Sequence, residues 1–297
     1  MEFLLLLKRV WGFEIMTVID GKLVSSKMRD ELKNMISDAG TKYGKIFKLT
    51  VIIVGNDPAS EIYVRNKEKA CETVGIVSET VRLSESITDE DLQSVIRIKA
   101  SDDTVDGILV QLPLPDGLDE NAALALIPPE KDVDGFSDIN IGKLTQFKKD
   151  APRACTPAGI IKLLDYYGVK CDGKHAVVVG RSNIVGKPMA LMLLERNCTV
   201  TICHSKTIDL KKYTLDADIL VCAVGQKHLI SADMVKPGAV VIDAGINRDA
   251  DKKIYGDVDF DAVSRKADLI TPVPGGVGPM TITMLLKNTY DAGMRKI

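Results

Sequence analysis

The sequence predicts an α/β protein with two domains. In the first half, apolar β-branched runs at residues 49–54 and 107–112 are followed by helical patterns, which begin at Pro58 and near residues 119–127. This alternation is typical of parallel strands joined by crossover helices. The rhythm breaks at residues 148–152, a polar stretch that ends in a proline. We therefore expect a domain boundary near residue 150.

The second half repeats the alternation with shorter strands. The predicted strands cover residues 174–180, 200–203, 219–224 and 239–242, and the predicted helices cover residues 155–161 and 187–194. This order is typical of a Rossmann-like unit. The two domains are therefore predicted to span residues 1–150 and 151–279, with a further helix from Met280.

Length and composition limit the classes of partner. A chain of 297 residues is long enough for two compact domains that each bury a core. Hydrophobic residues make up 45%, charged residues 27%, and the net charge is −2, which describes an ordinary soluble surface. Because there is no basic excess, we expect neither nucleic acid nor a membrane as a partner. Small molecules are the expected partners.

The cysteines and the N-terminal residues indicate the cellular compartment of the protein. The six cysteines form no CxxC pair, and several sit in apolar runs, which fits the reducing cytoplasm. Residues 3–7 are apolar but are followed by Lys8 and Arg9, an order that fits neither a signal peptide nor a membrane span. Residues 1–15 are either a leader without a role in function or a short packed helix.

Residues 176–188 have the features of a phosphate-binding turn between a strand and a helix. Gly180 ends the strand, Gly186 allows a close approach of the backbone, and Pro188 suits the first turn of a helix. The free N–H groups of such a helix start attract anions. The spacing differs from the common GxGxxG, so an ordinary strand-turn-helix connection is the alternative.

The end of the next strand indicates which dinucleotide would bind. An NAD site usually places Asp or Glu there, on the ribose hydroxyls. Residues 203–207 contain no carboxylate, while Ser205 can donate a hydrogen bond and Arg181 can supply charge to a 2′-phosphate. NADP is therefore the favoured cofactor. His204 and Lys206 could equally belong to a solvated loop.

The helix from Pro58 carries a candidate proton carrier. Its expected apolar stripe comprises Ala59, Ile62, Tyr63, Asn66, Ala70 and Val74. Lys67 falls on the edge of that stripe, where lost hydration would lower its pKa, and Tyr63 stands one turn earlier. Taken alone, the pair is better explained as a lysine that reaches water and a tyrosine packed in the core.

Three further positions suggest a ligand site, each with a plainer alternative. Gln111 ends a strand, where side chains commonly face a ligand crevice, but it could also be an edge residue facing water. Asp134, in the turn before Gly135, could accept hydrogen bonds from a nitrogen heterocycle or only form the turn. Residues 272–279 are too rich in Gly and Pro for a regular element, and predict a shaped loop or a plain linker.

Taken together, these motifs resemble the FolD family of bifunctional methylenetetrahydrofolate dehydrogenase/cyclohydrolases from about Val18 to the C-terminus. The matching blocks are residues 63–67, 106–115, 129–135, 180–188 and 271–281. The resemblance implies a catalytic domain that binds tetrahydrofolate derivatives, an NADP-binding Rossmann-like domain and a cleft between them. It also implies that residues 280–297 return to the first domain, that the chain forms a homodimer and that no metal is needed.

The same resemblance implies a role for each candidate residue. Lys67 would be the principal catalytic residue of hydrolysis, positioned by Gln111, with Tyr63 packed on the substrate ring and Asp134 anchoring the pterin. The implied remaining contacts are Gly180, Arg181, Ser182, Gly186, Ser205 and Ile246 for NADP, and Pro272 and Gly276 for the folate and nicotinamide pocket.

The implied activity is oxidation of 5,10-methylenetetrahydrofolate to the methenyl form and its hydrolysis to 10-formyltetrahydrofolate, a step in one-carbon metabolism that feeds purine biosynthesis. One alternative is a monofunctional NADP-dependent dehydrogenase that has lost the hydrolytic step. Retention of Lys67 argues against it. A second is a non-catalytic nucleotide-binding or scaffold protein.

Overall fold

The computed structural model describes residues 17–249, 251 and 253–297, so the leader or helix predicted before Met16 lies outside it. These residues form two compact units. The six-stranded unit comprises residues 17–22 and 160–279, and the three-stranded unit comprises residues 23–159 and 280–297.

The units divide between Gly159 and Ile160, whereas the sequence placed the boundary near residue 150. The difference has a physical cause, because the stretch around residue 150 is not a free linker. Ala151 and Pro152 are buried, and the carbonyl of Arg153 accepts a hydrogen bond from Asn288 within the three-stranded unit. A proline after polar residues therefore marks a packed segment here.

The described helices and strands are numbered in chain order. The helices are α1 (Gly21–Tyr43), α2 (Pro58–Val74), α3 (Asp89–Ser101), α4 (Glu120–Ala125), α5 (Asp138–Thr145), α6 (Cys155–Tyr166), α7 (Gly186–Glu195), α8 (Leu210–Thr214), α9 (Phe260–Val263) and α10 (Val277–Met294). The strands are β1 (Thr17–Val18), β2 (Lys48–Val54), β3 (Val77–Leu83), β4 (Gly107–Val110), β5 (His175–Val179), β6 (Thr199–Cys203), β7 (Ile219–Cys222), β8 (Val240–Asp243), β9 (Asn247–Arg248), β10 (Ile254–Tyr255) and β11 (Leu269–Ile270).

The sheet of the six-stranded unit is parallel, in the order β1-β11-β8-β7-β5-β6. The chain leaves β5 to one side for β6 and to the other for β7, so the carboxyl ends of β5 and β7 form a topological switch point. Ligands of open parallel sheets bind at such points. A core of fully buried side chains that includes Val177, Leu220 and Val241 fixes the strands.

The three-stranded unit has a parallel sheet in the order β3-β2-β4. Its core includes Ile52, Leu92 and Ile108. Asp132 makes a parallel bridge with Ile108, and the Ile108 N–H donates to the carbonyl of Lys131 at 2.8 Å. Residues 131–133 therefore extend the sheet beyond β4, and the predicted two-domain α/β fold is confirmed.

The C-terminal helix α10 packs within the three-stranded unit. The rings of Phe47 and Tyr290 lie 5.0 Å apart, and a Cβ at Gly293 would come within 2.5 Å of the Phe47 ring. The buried carboxylate of Asp106 accepts from Lys45 at 2.7 Å and pairs with Lys296 at 3.1 Å. The end of the chain is thus held by both apolar packing and charge.

Two global features concern the whole described chain. All six cysteines lie among the described residues and are buried free thiols. No helix among the residues described has the length and apolar character needed to cross a lipid bilayer.

Candidate active site

Two candidate side chains of the three-stranded unit lie at one edge of its sheet. Gln111 follows β4 directly, and its N–H still donates to the carbonyl of Ile52 on β2. Asp134 follows the segment that bridges to β4 through Asp132. Because β4 and this segment run parallel, both side chains lie at the carboxyl edge, where ligand sites form.

Helix α2 brings a lysine to this edge. Asp57 caps the helix by accepting from the Ser60 N–H at 2.8 Å, and Pro58 occupies the first turn, as the sequence predicts. The Lys67 ammonium donates to Gln111 Oε1 at 2.9 Å. Gln111 Nε2 donates to the carbonyl of Leu112 at 2.7 Å, which orients the amide oxygen toward the lysine.

The predicted apolar stripe of α2 is only partly right, because Ala70 and Val74 are buried as predicted but the buried face is turned away from Ile62 and Asn66. Ile62, which was assigned to the stripe, is 44% exposed, and Asn66 is exposed as well. Among the side chains of this helix that the structure describes, the buried ones are Ser60, Val64, Ala70, Cys71 and Val74. At about 100° per residue, Lys67 points along the middle of this buried face and not along its edge. Small residues form much of the face, which a count of large apolar side chains misses.

Lys67 and Asp134 are electrostatically coupled. Burial lowers the pKa of Lys67, and the opposing influence of the Asp134 carboxylate raises it again in part. Burial raises the pKa of Asp134 to about 6, an effect that the charge of Lys67 counteracts and that of Asp132 reinforces. A lysine and an aspartate shifted in this way are typical of proton-transfer and ligand-binding sites.

Tyr63 stands one helical turn before Lys67 on α2 and is half-buried. Its ring is therefore placed on the same side of the helix as the Lys67 ammonium. The structure joins Lys67 to Gln111 by a hydrogen bond, places Asp134 close enough for its charge to act on Lys67, and places Tyr63 on the same side by helical spacing.

Asp132 is an organising residue that the sequence did not single out. Its buried carboxylate accepts from the N–H groups of Gly135 and Ser137 at 2.9 and 2.8 Å, and from Asn140 Nδ2 at 2.9 Å. It thereby folds the loop that carries Asp134. The repeated Asp in residues 132–134 could have indicated two roles, one carboxylate for the turn and one for a ligand.

Cys155 is a second neighbour that the sequence missed. It is buried at the start of α6, and its thiol lies close enough to Lys67 and Asp134 for their charges to influence its pKa. Burial is the largest cause and raises that pKa well above its usual range. The thiol is therefore protonated at neutral pH, and it donates to the carbonyl of Val133 at 3.3 Å.

In the six-stranded unit, two candidate glycines form a tight turn at the switch point. Gly180 follows β5 with φ +131°, and a Cβ there would lie 2.3 Å from the carbonyl oxygen of Ala223. A Cβ on Gly186 would lie 2.4 Å from the carbonyl oxygen of Gly180. Ser182 Oγ accepts from the N–H groups of Val185 and Gly186, at the start of α7. Side chains are therefore excluded where a phosphate would approach the backbone.

The candidate contacts for a 2′-phosphate are exposed at the same sheet edge. Arg181 follows β5 and Ser205 follows β6, the strand paired with β5. His204 shapes the Ser205 loop, because its N–H donates to Thr207 Oγ1 at 2.8 Å and its Nδ1 accepts from the Lys206 N–H at 3.1 Å. The backbone of His204 and Lys206 thus has a structural role.

Ile246 is 47% exposed, and the residues on either side of it, Gly245 and Asn247, donate to two buried aspartates that the sequence missed. Asp257 accepts from the N–H groups of Val224, Gly225 and Gln226 and from Asn247 Nδ2, at 2.7 to 3.1 Å. Asp243 accepts from the N–H groups of residues 245, 257 and 258 at 2.9 to 3.0 Å, and burial raises its pKa to about 6. These carboxylates shape the loops after β7 and β8.

The Gly- and Pro-rich segment is only partly a loop. Gly276 closes a turn by donating its N–H to the carbonyl of Pro272 at 2.9 Å, and a Cβ there would lie 2.6 Å from the same oxygen. Helix α10 begins at Val277, so the prediction of an irregular segment through Pro279 is wrong for its last three residues. Pro279 lies in the first helical turn, where its missing N–H breaks no hydrogen bond.

Comparison with known proteins identifies the family. The model of the tetrahydrofolate dehydrogenase/cyclohydrolase catalytic domain matches residues 19–134, and that of the NAD(P)-binding domain of the same enzymes matches residues 154–297. The chain belongs to the tetrahydrofolate dehydrogenase/cyclohydrolase family. The resemblance to FolD proteins is thereby confirmed.

Members of this family align over nearly the whole chain. The bifunctional protein FolD of Streptococcus uberis is 51% identical over 280 residues, which is 94% of this chain and 98% of that protein. The crystal structure of FolD from Campylobacter jejuni has a TM-score of 0.94 and 49% identity, covering 95% of this chain and all of the other. The crystal structure of Trypanosoma brucei FolD, complexed with NADP cofactor and inhibitor, has a TM-score of 0.91 and 37% identity. The match covers 95% of this chain and 98% of the other.

The Asp257 carboxylate generates a prediction about stability. Asp257→Ala leaves three backbone donors without their acceptor, so we expect a loss of roughly 1–3 kcal/mol in the free energy of unfolding. Urea unfolding followed by circular dichroism measures it. The exposed Asp261 in the same unit supplies the control Asp261→Ala, which should leave the midpoint unchanged. Equal midpoints for both variants would contradict the assigned role of Asp257.

Proposed function

We propose that this chain oxidises 5,10-methylenetetrahydrofolate to the methenyl form with NADP and hydrolyses the product to 10-formyltetrahydrofolate. The observation that carries the proposal is the hydrogen bond of 2.9 Å between Lys67 Nζ and Gln111 Oε1. It holds a lysine of lowered pKa beside Asp134 in the part of the chain that matches the family's catalytic domain. The relatives named as bifunctional proteins support both activities.

Lys67 serves the hydrolytic step as a proton carrier. Water adds to the methenyl carbon and loses a proton to the neutral Lys67 amine. The resulting ammonium gives that proton to one folate nitrogen as the bond between this nitrogen and the carbon breaks. The hydroxyl group of the adduct becomes the formyl carbonyl on the other nitrogen, and its proton is released to water. Burial lowers the pKa of Lys67, which shifts it toward neutral pH, where a proton carrier is most effective.

The neighbouring groups position the lysine and the substrate. Gln111 fixes the ammonium by accepting its hydrogen bond, and its own orientation is fixed by Leu112. Asp134 accepts hydrogen bonds from the N–H groups of the pterin, and Tyr63 packs on the aromatic ring of the substrate. A preorganised set of this kind lowers the barrier because little reorientation is needed during the reaction.

The six-stranded unit binds NADP, which supplies the acceptor for the hydride of the methylene carbon. The fit rests on the tight turn of Gly180 and Gly186, where an added Cβ would collide with backbone. Arg181 and Ser205 contact the 2′-phosphate, and no carboxylate stands among residues 203–207 to repel it. Ser182 and Ile246 flank the dinucleotide, while Pro272 and Gly276 contact the nicotinamide and the folate.

The domain roles and the cellular setting belong to the same proposal. The three-stranded unit is the folate-binding catalytic domain and the six-stranded unit the NADP-binding domain. The enzyme acts as a homodimer in the cytoplasm, in one-carbon metabolism that supplies purine biosynthesis. The buried free thiols fit a reducing compartment, and the family resemblance supports the other assignments. In a dehydrogenase without cyclohydrolase activity, the hydrogen-bonded Lys67 and Gln111 would have no catalytic role in hydrolysis.

Removal of the Lys67 amine should separate the two activities. We expect Lys67→Ala to slow methenyl hydrolysis about 100-fold or more, the usual contribution of a positioned proton carrier, while NADPH still forms. NADPH formation and methenyl decay are followed together in one assay. The exposed lysine of the same helix supplies the control Lys69→Ala. A Lys67→Ala enzyme that hydrolyses methenyl folate as fast as the wild type would contradict the proposed role.

The raised pKa of Asp134 predicts an acid limit to folate binding. The folded-state pKa of about 6 lies above the ordinary value, so the carboxylate gains a proton as the pH falls through 6. The kcat/KM for methylenetetrahydrofolate should therefore fall below about pH 6, whereas an ordinary Asp would hold it to about pH 4. Asp134→Asn should lower kcat/KM and flatten this limb, and Asp116→Asn, an exposed loop change, should not. A limb that persists in Asp134→Asn belongs to another group.

Arg181 should determine the preference for NADP over NAD. Arg181→Ala removes a charge-assisted contact to the 2′-phosphate, so we expect the KM for NADP to rise about 10-fold or more. The KM for NAD should stay unchanged, because NAD lacks that phosphate. Steady-state kinetics with both cofactors measure the ratio, and Lys170→Ala in the same unit controls for loss of a surface charge. A parallel rise in both KM values would assign Arg181 a different contact.

A further inference from the structure

Asn288 joins the C-terminal helix to the loops around the candidate site. It lies on α10 and is 6% exposed. Its Nδ2 donates to the carbonyl of Val133 at 2.8 Å and to that of Arg153 at 2.9 Å, and it lies 3.6 Å from the Cys155 sulfur. One amide therefore holds the residue before Asp134 and a residue just before α6.

The two peptide groups that flank Asp134 are both fixed. The carbonyl on its N-terminal side, that of Val133, accepts from Asn288 and from the Cys155 thiol. The N–H on its C-terminal side, that of Gly135, donates to Asp132 Oδ1 at 2.9 Å. With both peptide planes held, the direction in which the Asp134 side chain leaves the backbone is determined.

The loops at Asp134 and Cys155 pack backbone against backbone. Gly135 has φ +74°, and a Cβ there would lie 2.8 Å from the Ala154 nitrogen and from the Arg153 carbonyl carbon. A side chain at position 135 would therefore collide with the facing loop, and the amide that donates to both loops comes from outside them. Asn288 supplies that donor from α10.

We propose that Asn288 is a positioning residue for substrate binding, which acts by fixing the Val133 carbonyl and hence the Asp134 carboxylate. The inference rests on the proposed role of Asp134 as the anchor of the pterin. Asparagine suits the position because one NH₂ group can serve two carbonyls. A leucine of similar size would remove the amide donor from both carbonyls and leave Val133 held by the Cys155 thiol alone, and an aspartate would direct a negative oxygen at them.

The test is a double-mutant cycle on Asn288 and Asp134. Asn288→Leu should raise the KM for methylenetetrahydrofolate about 10- to 100-fold, the cost of a misplaced contact, and leave the KM for NADP within about two-fold. In the Asp134→Asn background the same substitution should change the folate KM little, because the group that it positions is already altered. The acid limb of the kcat/KM profile should also move in the Asn288→Leu enzyme.

Thr289→Val is the matched control. Thr289 is fully buried on the same helix, but its hydroxyl donates to the Leu285 carbonyl within the helix at 2.9 Å, so it tests packing of α10 alone. It should leave the folate KM and the acid limb unchanged. If Asn288→Leu does not fold, Asn288→Ser, which retains one hydroxyl donor, enters the same cycle.

The outcomes separate the inference from the proposed function. A full Asn288 effect in the Asp134→Asn background, or a loss of thermal stability with unchanged folate KM, overturns the positioning role while Asp134 keeps its own. An Asp134→Asn enzyme with wild-type folate KM overturns the assignment of Asp134, and the inference with it. An Asn288 effect present only with Asp134 intact supports both.

Discussion

The site depends on a partly buried positive charge that is only partly neutralised. Lys67 lies along the middle of the buried face of α2, and a buried ammonium is costly unless it is paired and hydrogen-bonded. Gln111 supplies a neutral acceptor and Asp134 supplies an opposing charge, while neither removes the effect of burial on the lysine pKa. This balance holds the amine at a pKa below its ordinary value. A full ion pair would hold it charged, and an apolar neighbour would leave it unsatisfied.

Other parts of the three-stranded unit hold Gln111 and Asp134 in place around Lys67. The parallel sheet brings Gln111 and the segment before Asp134 to one edge. Asp132 folds the loop that carries Asp134 and leads into α5. The buried carboxylates Asp243 and Asp257 have the same function in the six-stranded unit, where they hold loops after β7 and β8. In both units a buried carboxylate accepts several hydrogen bonds from a loop and fixes its backbone. Other side chains of the loop are then available to contact a ligand.

Much of this arrangement could be predicted from the sequence, and the reasons for the failures are specific. Strand ends and the Asp57-Pro58 helix start depend on local residue types, so the elements and the edge position of Gln111 followed from them. The buried face of α2 depends on small residues such as Cys71, whose burial only the packed structure shows. Asn288 could not be found, because its contact with Val133 spans 155 positions and an Asn inside a helix carries no local indication of a distant partner.

The most direct test of the account is the pKa of Lys67 itself, measured by NMR titration of isotope-labelled lysine side chains, with Lys67→Arg to assign its signal. The account predicts a Lys67 pKa below the ordinary value of about 10.4, and a further decrease in Asp134→Asn, because the carboxylate raises it. The pKa in Asp116→Asn should equal that of the wild type. An ordinary Lys67 pKa that does not respond to Asp134 would show that the two side chains are not coupled, and the proton-carrier role would lose its physical basis.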